Sequence, residues 1–229
     1  MYRKLNLRIL LAAFGGIVWS AQIALHQGRI SGWVEPALPG ARVEASSAGA
    51  RYRIDAERRR FTVRAFAGGF LSALAHDHTI SIREFDGQTD FTYVTVEPAS
   101  LQLTIKAGSL AITDKISASD RQKIETTMRD EVLEVSKFPE ITFKSSDVSA
   151  TRTGEGQYQA RIMGEITLHG VSQQLTIPTQ LEFGDKLLRA KGAFTLKQSS
   201  FGIKPVSVAG GTIKVKDELK FTFDIVAHP

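Results

Sequence analysis

Hydrophobic and polar residues alternate along two neighbouring stretches of this chain, Tyr158–Leu168 and Leu175–Phe183. Successive side chains of a β-strand point to opposite faces, so each stretch predicts a strand with one apolar face. The alternation stops at His169-Gly170, and a short glycine-containing turn between two such strands predicts a β-hairpin.

The same period of two recurs on both sides of this hairpin, with glycine-rich or irregular segments between the repeats. The further predicted strands are Tyr52–Ala65 with a charged interruption at Glu57–Arg60, Thr79–Phe85, Gln88–Val96, Leu101–Ile105, Glu140–Val148, Leu187–Gln198 and Lys214–Ala227. About eight antiparallel strands with one apolar face form a closed barrel or a sandwich. Because many of these strands exceed the usual five or six residues, the pattern favours a tall barrel, in an all-β fold.

One segment follows a different period. Within Ser117–Lys137, apolar residues recur three or four positions apart, which predicts a helix with one apolar stripe formed by Ile124, Met128, Val132 and Val135. Ser119 followed by Gln122 is typical of a capping box, and Pro139 closes the segment. We expect a single helical segment near the middle of the chain, packed on the sheet or closing one end of the barrel.

The N-terminus differs in composition from the rest of the chain. Residues 1–25 are a short basic stretch followed by an apolar run, which predicts a signal peptide or an N-terminal membrane anchor. Both interpretations place the following domain outside the cytoplasmic membrane, in the periplasm or tethered to the inner membrane. Residues 26–50 are rich in glycine and contain two prolines, so they predict a linker, and 51–229 predict one domain.

Charge and cysteine content exclude several classes of protein. The formal net charge is +5, but Arg3, Lys4 and Arg8 supply three of these charges, so the remaining chain carries only +2. Basic residues are interspersed with acids, which argues against nucleic acid as a partner. The absence of cysteine excludes disulfides, thiolate metal sites and cysteine nucleophiles. The G-x-S-x-G, P-loop and G-x-G-x-x-G motifs of catalysis and cofactor binding are absent, so we expect no cofactor.

The predicted apolar faces indicate what the barrel would hold. They carry many phenylalanines, so an internal cavity would be apolar and suited to a hydrophobic chain. Small residues on the same faces favour an open cavity over a filled core, namely Ala160, Gly164, Ala190 and Gly192.

Histidine supplies the most suggestive polar chemistry. If a strand begins at His76, then His76 and His78 share the face of Ile80 and Ile82 and point inward. Two histidines at this spacing can bind a metal ion, but a site needs a third ligand. They can equally contact a ligand head group near the barrel mouth or satisfy backbone groups at a strand end.

Other polar residues predict structural roles. We expect His169, beside Gly170, to stabilise its turn rather than to bind a ligand. The acidic residues Asp114 and Asp217 are predicted to lie on solvated loops.

Four segments carry a recognisable pattern in the same order along the chain, namely Phe138–Ser146, Gly164–Ser172, Phe201–Ile203 and Val215–Asp217. They resemble segments of the YceI-like family of bacterial secreted lipid-binding proteins, and the resemblance extends over Arg51 to His228. It implies a lipocalin-like antiparallel barrel, exported to the periplasm, that holds a polyisoprenoid or similar long amphiphile in its lumen. It also implies a binding protein rather than an enzyme.

We therefore expect an exported barrel that binds such a lipid for transport, storage or sequestration. The predicted ligand contacts are Phe61, His76, His78, Phe91, Phe143, Ile162, Ile166, Phe194, Phe221 and Phe223. Two alternatives stay open: a metal-binding enzyme or redox accessory that uses His76 and His78, and a ligand-free barrel that acts through its surface. The sequence is compatible with both a monomer and a homodimer.

Overall fold

The computed structural model describes residues 50–69, 76–91, 99–184 and 186–229. The strands within them are β1 (Ala50–Gly68), β2 (His78–Ile82), β3 (Phe85–Phe91), β4 (Ala99–Lys106), β5 (Leu110–Ile112), β6 (Glu140–Gly154), β7 (Gln157–Leu168), β8 (Val171–Gly184), β9 (Leu187–Lys197), β10 (Ser207–Val208) and β11 (Ile213–His228). Helix α1 (Ala118–Thr127) continues into a π-helical turn at Met128–Val132. Short 3-10 turns lie at Ala107–Ser109, Gln198–Phe201 and Ala209–Gly211.

Eight of these strands form a closed antiparallel barrel. Around the barrel they follow the order β1, β11, β9, β8, β7, β6, β4 and β3, and β3 pairs with the start of β1. The later part of β1 pairs instead with β2, which pairs with β5. The all-β antiparallel barrel of about eight strands with one helical segment, predicted from the sequence, is thereby confirmed.

The hairpin of β7 and β8 turns where predicted, but β8 begins at Val171, before the predicted start at Leu175. Along β7 the residues at every second position are buried and the intervening ones are mostly exposed. Leu168 pairs with Val171, so the turn consists of His169 and Gly170, whose φ angles are +53° and +74°. Two positive φ angles in a two-residue turn match the twist of antiparallel strands, which explains the tight connection.

Strand β1 is continuous where the sequence predicted a charged interruption. Its register with β11 runs through Ile54, opposite Ala227, and resumes at Arg59, opposite Ile225. Four residues of β1, 55–58, therefore lie opposite a single residue of β11. The charged residues form a bulge rather than a break, because β1 resumes its pairing with β11 after them.

The predicted strand Thr79–Phe85 is wrong, because two strands occupy it. Strand β2 ends at Ile82 and β3 begins at Phe85, each paired with a different part of β1. Between these parts Arg59 donates hydrogen bonds to the carbonyl oxygens of Phe85 and Arg83, the latter over 3.0 Å. This arginine side chain thus bridges the point where β1 changes neighbours.

Helix α1 begins at a different cap from the one predicted. The N-cap is Ser117, whose Oγ accepts the N–H of Asp120 over 3.0 Å, and not Ser119. The Oγ of Ser117 also donates to the Asp120 carboxylate over 2.7 Å. The negative charge of Asp120 in the first turn stabilises the helix, because it lies near the positive end of the helix dipole.

The predicted signal or anchor at 1–25 and the predicted linker at 26–50, except Ala50, lie outside the described residues. The last part of the predicted strand Gln88–Val96 also lies outside them. In the part of the chain that is described, no helix is long and apolar enough to cross a membrane.

Candidate functional site

The barrel encloses an apolar cavity of about 470 Å³. Its wall is built from the inward positions of the eight strands, and its volume lies in the range of small-molecule sites. The predicted ligand contacts that line it are Phe61, His78, Phe143, Ile162, Ile166, Phe194, Phe221 and Phe223. Their contact with a ligand stays a prediction, but the structure brings these eight side chains to one lumen.

Aromatic rings form one side of the wall. Phe194 and Phe221 stack with their centroids 4.9 Å apart and their planes 6° from parallel. Phe61 packs edge-on against Phe223 at 6.2 Å and against Phe85 at 5.7 Å. These contacts fix the rings in place, so this part of the wall is a formed surface rather than loosely packed side chains.

The lumen has a closed floor at the end where β1 begins. Tyr52, Phe91 and Phe183 pack there, with centroid distances of 5.0 Å and 5.1 Å from Phe91 to the other two rings. Leu188 and Ala227 belong both to this cluster and to the cavity wall. Phe91, predicted to contact the ligand, therefore lies in the floor below the cavity, because its strand position is at the barrel's end.

Two of the small inward residues do not open the cavity as expected. A Cβ built on Gly164 would lie 2.6 Å from Cζ of Phe143, and one built on Gly192 would lie 2.5 Å from Cζ of Phe223. These glycines leave room for phenyl rings that cross the barrel interior. Ala160 lies in the floor cluster, and Ala190 alone of the four lines the cavity.

Helix α1 and the turn after it cover the other end of the barrel, which we call the mouth. The predicted apolar stripe faces inward, and the cavity is lined there by Ile124, Met128, Val132 and Leu133. Val135 packs against the same core without lining the cavity. The helix therefore closes one end of the barrel, which is one of the two positions expected for it.

Two side chains fasten α1 to the end of β5. Arg121 donates hydrogen bonds to the carbonyl oxygens of Ile112 and Asp114, the latter over 2.8 Å. The Oε1 atom of Glu125 accepts the N–H of Ile112 over 2.9 Å. Because Ile112 is almost fully buried, these contacts satisfy backbone groups that water does not reach.

His78 supplies a polar group at the cavity edge. Its Nδ1 atom lies 2.8 Å from Oδ2 of Asp114, and the same carboxylate accepts the N–H of Thr79 over 3.1 Å. Asp114 is therefore not the solvated loop residue that the sequence predicted. His78 and Asp114 are 36 positions apart in the chain, so the local sequence pattern did not predict their contact.

His76 does not share the inward direction of His78. Strand β2 begins only at His78, so the two-residue alternation does not extend back to His76, which is exposed and does not line the cavity. Among the described residues, no group of three or more histidine, aspartate or glutamate side chains is arranged to hold a metal ion.

His169 links three segments at the mouth. Its Nε2 atom lies 2.9 Å from Oε2 of Glu134, its Nδ1 atom lies 3.3 Å from the carbonyl oxygen of Phe201, and its ring packs on Phe138 at 4.5 Å. Hydrogen bonds from Lys137 and His169 lower the pKa of Glu134 below its ordinary value. The histidine thus holds the β7–β8 turn against the segment that follows α1.

Asp217 also departs from the predicted loop. It lies in β11, and its carboxylate accepts the hydroxyl of Ser199 over 2.6 Å and the N–H of Ser199 over 2.8 Å. These hydrogen bonds lower the pKa of Asp217 and hold the turn after β9 against β11.

Comparison with known proteins gives one family and one fold. The model of the YceI-like domain matches residues 52–227. A UPF0312 protein of Pseudomonas putida strain W619 is 25% identical over 171 residues, which are 72% of this chain and 82% of that protein. Another UPF0312 protein, from Pseudomonas syringae pv. tomato, is 27% identical over 150 residues, 63% of this chain and 71% of its own length.

Solved structures share the barrel at low sequence identity. BcnA of Burkholderia cenocepacia is 18% identical with a TM-score of 0.57, covering 76% of this chain and 98% of its own. A polyisoprenoid binding domain from Saccharophagus degradans, implicated in plant cell wall breakdown, is 11% identical with a TM-score of 0.54, covering 77% and 97%. At these identities the likeness is one of fold.

Proposed function

Because the chain belongs to the YceI-like family, we propose that its barrel binds a polyisoprenoid or similar long-chain amphiphile and carries, stores or sequesters it. One observation carries the proposal: a cavity of about 470 Å³ whose wall is almost entirely apolar. A solved barrel of the same fold is described as a polyisoprenoid binding domain, which supports this class of ligand.

Chain burial supplies the binding energy in this proposal. Each methylene group moved from water into the lumen contributes about 0.8 kcal/mol. Association costs at least several kcal/mol in lost translational and rotational freedom, so a short chain would bind weakly and a long one tightly. The preformed wall of stacked rings reduces the further cost of ordering the site.

The ligand lies with its tail towards the floor and its polar end at the mouth. Polar side chains are scarce along the wall, and His78 with its partner Asp114 lies near the mouth end. The floor of Tyr52, Phe91 and Phe183 offers an apolar end to the tail. An inverted ligand would have only the hydroxyls of Thr89 and Thr179 near its head group, away from the titratable side chains of the wall at the mouth, which is costly for a charged head group.

We place this function outside the cytoplasmic membrane, on the basic and apolar pattern of residues 1–25. Cell fractionation tests the placement: the protein is expected in the envelope or periplasmic fraction. Recovery of the full-length chain in the cytosol alone would contradict it.

A substitution on the inner wall tests lipid binding. Ala190 lines the cavity, whereas Ala193, on the same strand, points outward and is exposed. We expect Ala190→Phe to occupy part of the lumen. Exclusion of two methylene groups would weaken binding of a prenyl alcohol such as geranylgeraniol by roughly tenfold.

The control is Ala193→Phe, which adds the same ring outside the barrel and is expected to keep the wild-type affinity. Native mass spectrometry with geranylgeraniol measures the bound fraction of each variant, and circular dichroism checks that each remains folded. Failure of the wild type to bind any prenyl chain, or equal losses in both variants, would contradict the proposal.

A further inference from the structure

A second concavity, of about 440 Å³, lies on the outer wall of the barrel near the floor, away from the lumen. We call it the arginine concavity. Its charged side chains are Glu57, Arg58, Arg59, Arg60, Arg189 and Asp224. Four arginines against two carboxylates leave a net charge of +2, which makes this a cationic recess rather than a balanced ion-pair network.

The bulge of β1 forms the recess and is held in a defined shape. The Oδ1 atom of Asp55 accepts the N–H of Glu57 over 2.8 Å and that of Arg58 over 3.3 Å. The other carboxylate oxygen lies 2.7 Å from Nε2 of His228. The hydrogen bond to His228 is the main reason that the pKa of Asp55 is lowered. Bulges commonly redirect side chains at functional positions, and the side chains of Arg58 and Arg60, in and beside this bulge, are exposed.

Two of the four arginines are committed to the barrel itself. Arg59 donates to the carbonyl oxygens of Phe85 and Arg83 and lies over the Phe85 ring at 4.5 Å. Arg189 binds both carboxylate oxygens of Asp224, over 2.8 Å and 2.7 Å, and lowers the pKa of that carboxyl. These two side chains form the fixed walls of the recess.

The other two arginines, Arg58 and Arg60, have guanidinium N–H groups that are available to bind a ligand. The side chains of Arg58 and Arg60 are exposed and make no hydrogen bond or ion pair with any described residue. Arg60 acts on Asp224 only through its charge, which adds to the lowering of that carboxyl's pKa. With Asp224 already bound by Arg189, Glu57 is the one carboxylate of the recess left to oppose them.

We propose that the arginine concavity binds a phosphate-bearing anion. Guanidinium groups present paired N–H donors that match the oxygens of a phosphate, and charge-assisted hydrogen bonds of this kind are among the strongest in proteins. The apolar residues Leu187 and Val226 also line the recess and would contact carbon atoms next to the phosphate. A lipid phosphate head group and a soluble phosphate ester share this chemistry.

The test compares two double variants of the full-length protein with equal net charge. Arg58→Gln with Arg60→Gln removes the available donors of the recess. Arg152→Gln with Arg161→Gln removes two exposed arginines on β6 and β7, outside the recess. Calorimetry measures the binding of sodium pyrophosphate. Co-sedimentation measures binding to vesicles of phosphatidylcholine with or without phosphatidylglycerol. Both use about 0.15 M salt, where screening acts beyond about 8 Å.

We expect the recess variant to lose roughly tenfold or more in affinity, as for the loss of hydrogen bonds to a charged group, and the control to stay within about twofold of wild type. Glu57→Gln should strengthen binding, because it removes the opposing carboxylate. Saturable pyrophosphate binding indicates a soluble phosphate compound as the source. Binding that depends on phosphatidylglycerol without pyrophosphate binding indicates a lipid head group.

Absence of binding to both probes by the wild type would overturn the proposal, and so would equal losses in the two double variants. Circular dichroism separates loss of binding from loss of folding. The result is independent of lipid binding in the lumen, since Ala190→Phe is expected to leave binding at the arginine concavity unchanged.

Discussion

Two glycines inside strands of the barrel allow close packing because they have no side chain. Gly164 and Gly192 each lie under a phenyl ring from a neighbouring strand, and a Cβ at either position would also approach a backbone carbonyl oxygen within 2.5 Å. Backbone cannot move aside as the end of a flexible side chain can. These positions therefore set how closely the strands and rings pack.

Gly192→Ala is expected to destabilise the protein by about 1–3 kcal/mol, the usual cost of overpacking a filled interior. The added Cβ would lie 2.5 Å from the carbonyl oxygen of Pro178 and from Cζ of Phe223. Urea denaturation followed by circular dichroism measures the free energy of unfolding. The matched control is Gly184→Ala, where a Cβ meets nothing within 4 Å. A change of less than about 0.5 kcal/mol at Gly192 would show that the strands separate easily there.

A single carboxylate at the mouth gives stability that depends on pH. Hydrogen bonds from Lys137 and His169 lower the pKa of Glu134 below 4.5 in the folded protein. A carboxyl whose folded pKa is depressed stabilises the fold above its unfolded pKa, and this contribution is lost as the pH falls through the folded value.

We therefore expect Glu134→Gln to lower the melting temperature at pH 7 and to have a shrinking effect as the pH falls below 4.5. Differential scanning calorimetry of wild type and variant between pH 7 and pH 3 measures the difference. Glu131→Gln, an exposed residue of the same segment, provides the control. A difference that stays constant with pH would mean that the charge of Glu134 is not its source.

At the residue scale, alternation predicted which side chains point inward but not their height along the barrel. Phe61, Phe143 and Phe223 were assigned correctly to the inner face and line the cavity. Phe91 has the same alternation, yet it lies in the floor, because height depends on strand stagger, which a local pattern does not contain. The predicted inward position of His76 is wrong, because β2 begins two residues later, at His78.

At the scale of elements, α1 is held by a few polar contacts over an apolar face. Its inward stripe covers the mouth, while Arg121 and Glu125 bind backbone groups of Ile112 and Asp114. Burial of the apolar face holds α1 on the barrel but does not fix where the helix lies, because apolar contacts are non-directional. The hydrogen bonds of Arg121 and Glu125 fix that position, and substitutions can remove them without changing the apolar face.

Arg121→Ala combined with Glu125→Ala is expected to loosen α1 on the barrel. Loss of charged partners from the buried N–H and carbonyl groups of Ile112 costs about 1–3 kcal/mol each. Hydrogen exchange of the α1 amides should become faster, and release of a bound prenyl alcohol should speed up by roughly tenfold. Gln122→Ala, on an exposed position of the same helix, is the control. Unchanged release with faster exchange would show that the ligand leaves by another route.

The sequence predicted the face of this helix better than its start. The spacing of Ile124, Met128 and Val132 identified the stripe that faces the lumen. The spacing of Ser119 and Gln122 predicts a cap at Ser119, whereas Ser117 with Asp120 forms the cap. Both serines match the local rule, and only the packing of the helix on the barrel selects between them.

At the scale of the whole molecule, the number and alternation of strands predict a barrel or a sandwich, and only the length of the strands favours the barrel that the structure shows. The bulge of β1 was not predictable, since a run of charged residues is equally typical of a loop. It lies between the part of β1 that pairs with β3 and the part that pairs with β2. The pairing of His78 with Asp114 was missed for a similar reason, as the two residues meet only through the β2–β5 contact.

Pairing of β1 with β11 joins the two ends of the described domain, and Asp55 and His228 are separated by 173 positions in the chain. During synthesis β1 emerges first among the described strands and has no closing partner until β11 is complete. Until then β1 and β9 each present an unpaired edge, the kind of edge that associates with other chains. The barrel can enclose a lumen only after nearly the whole chain is available, which makes closure a late and slow step of its folding.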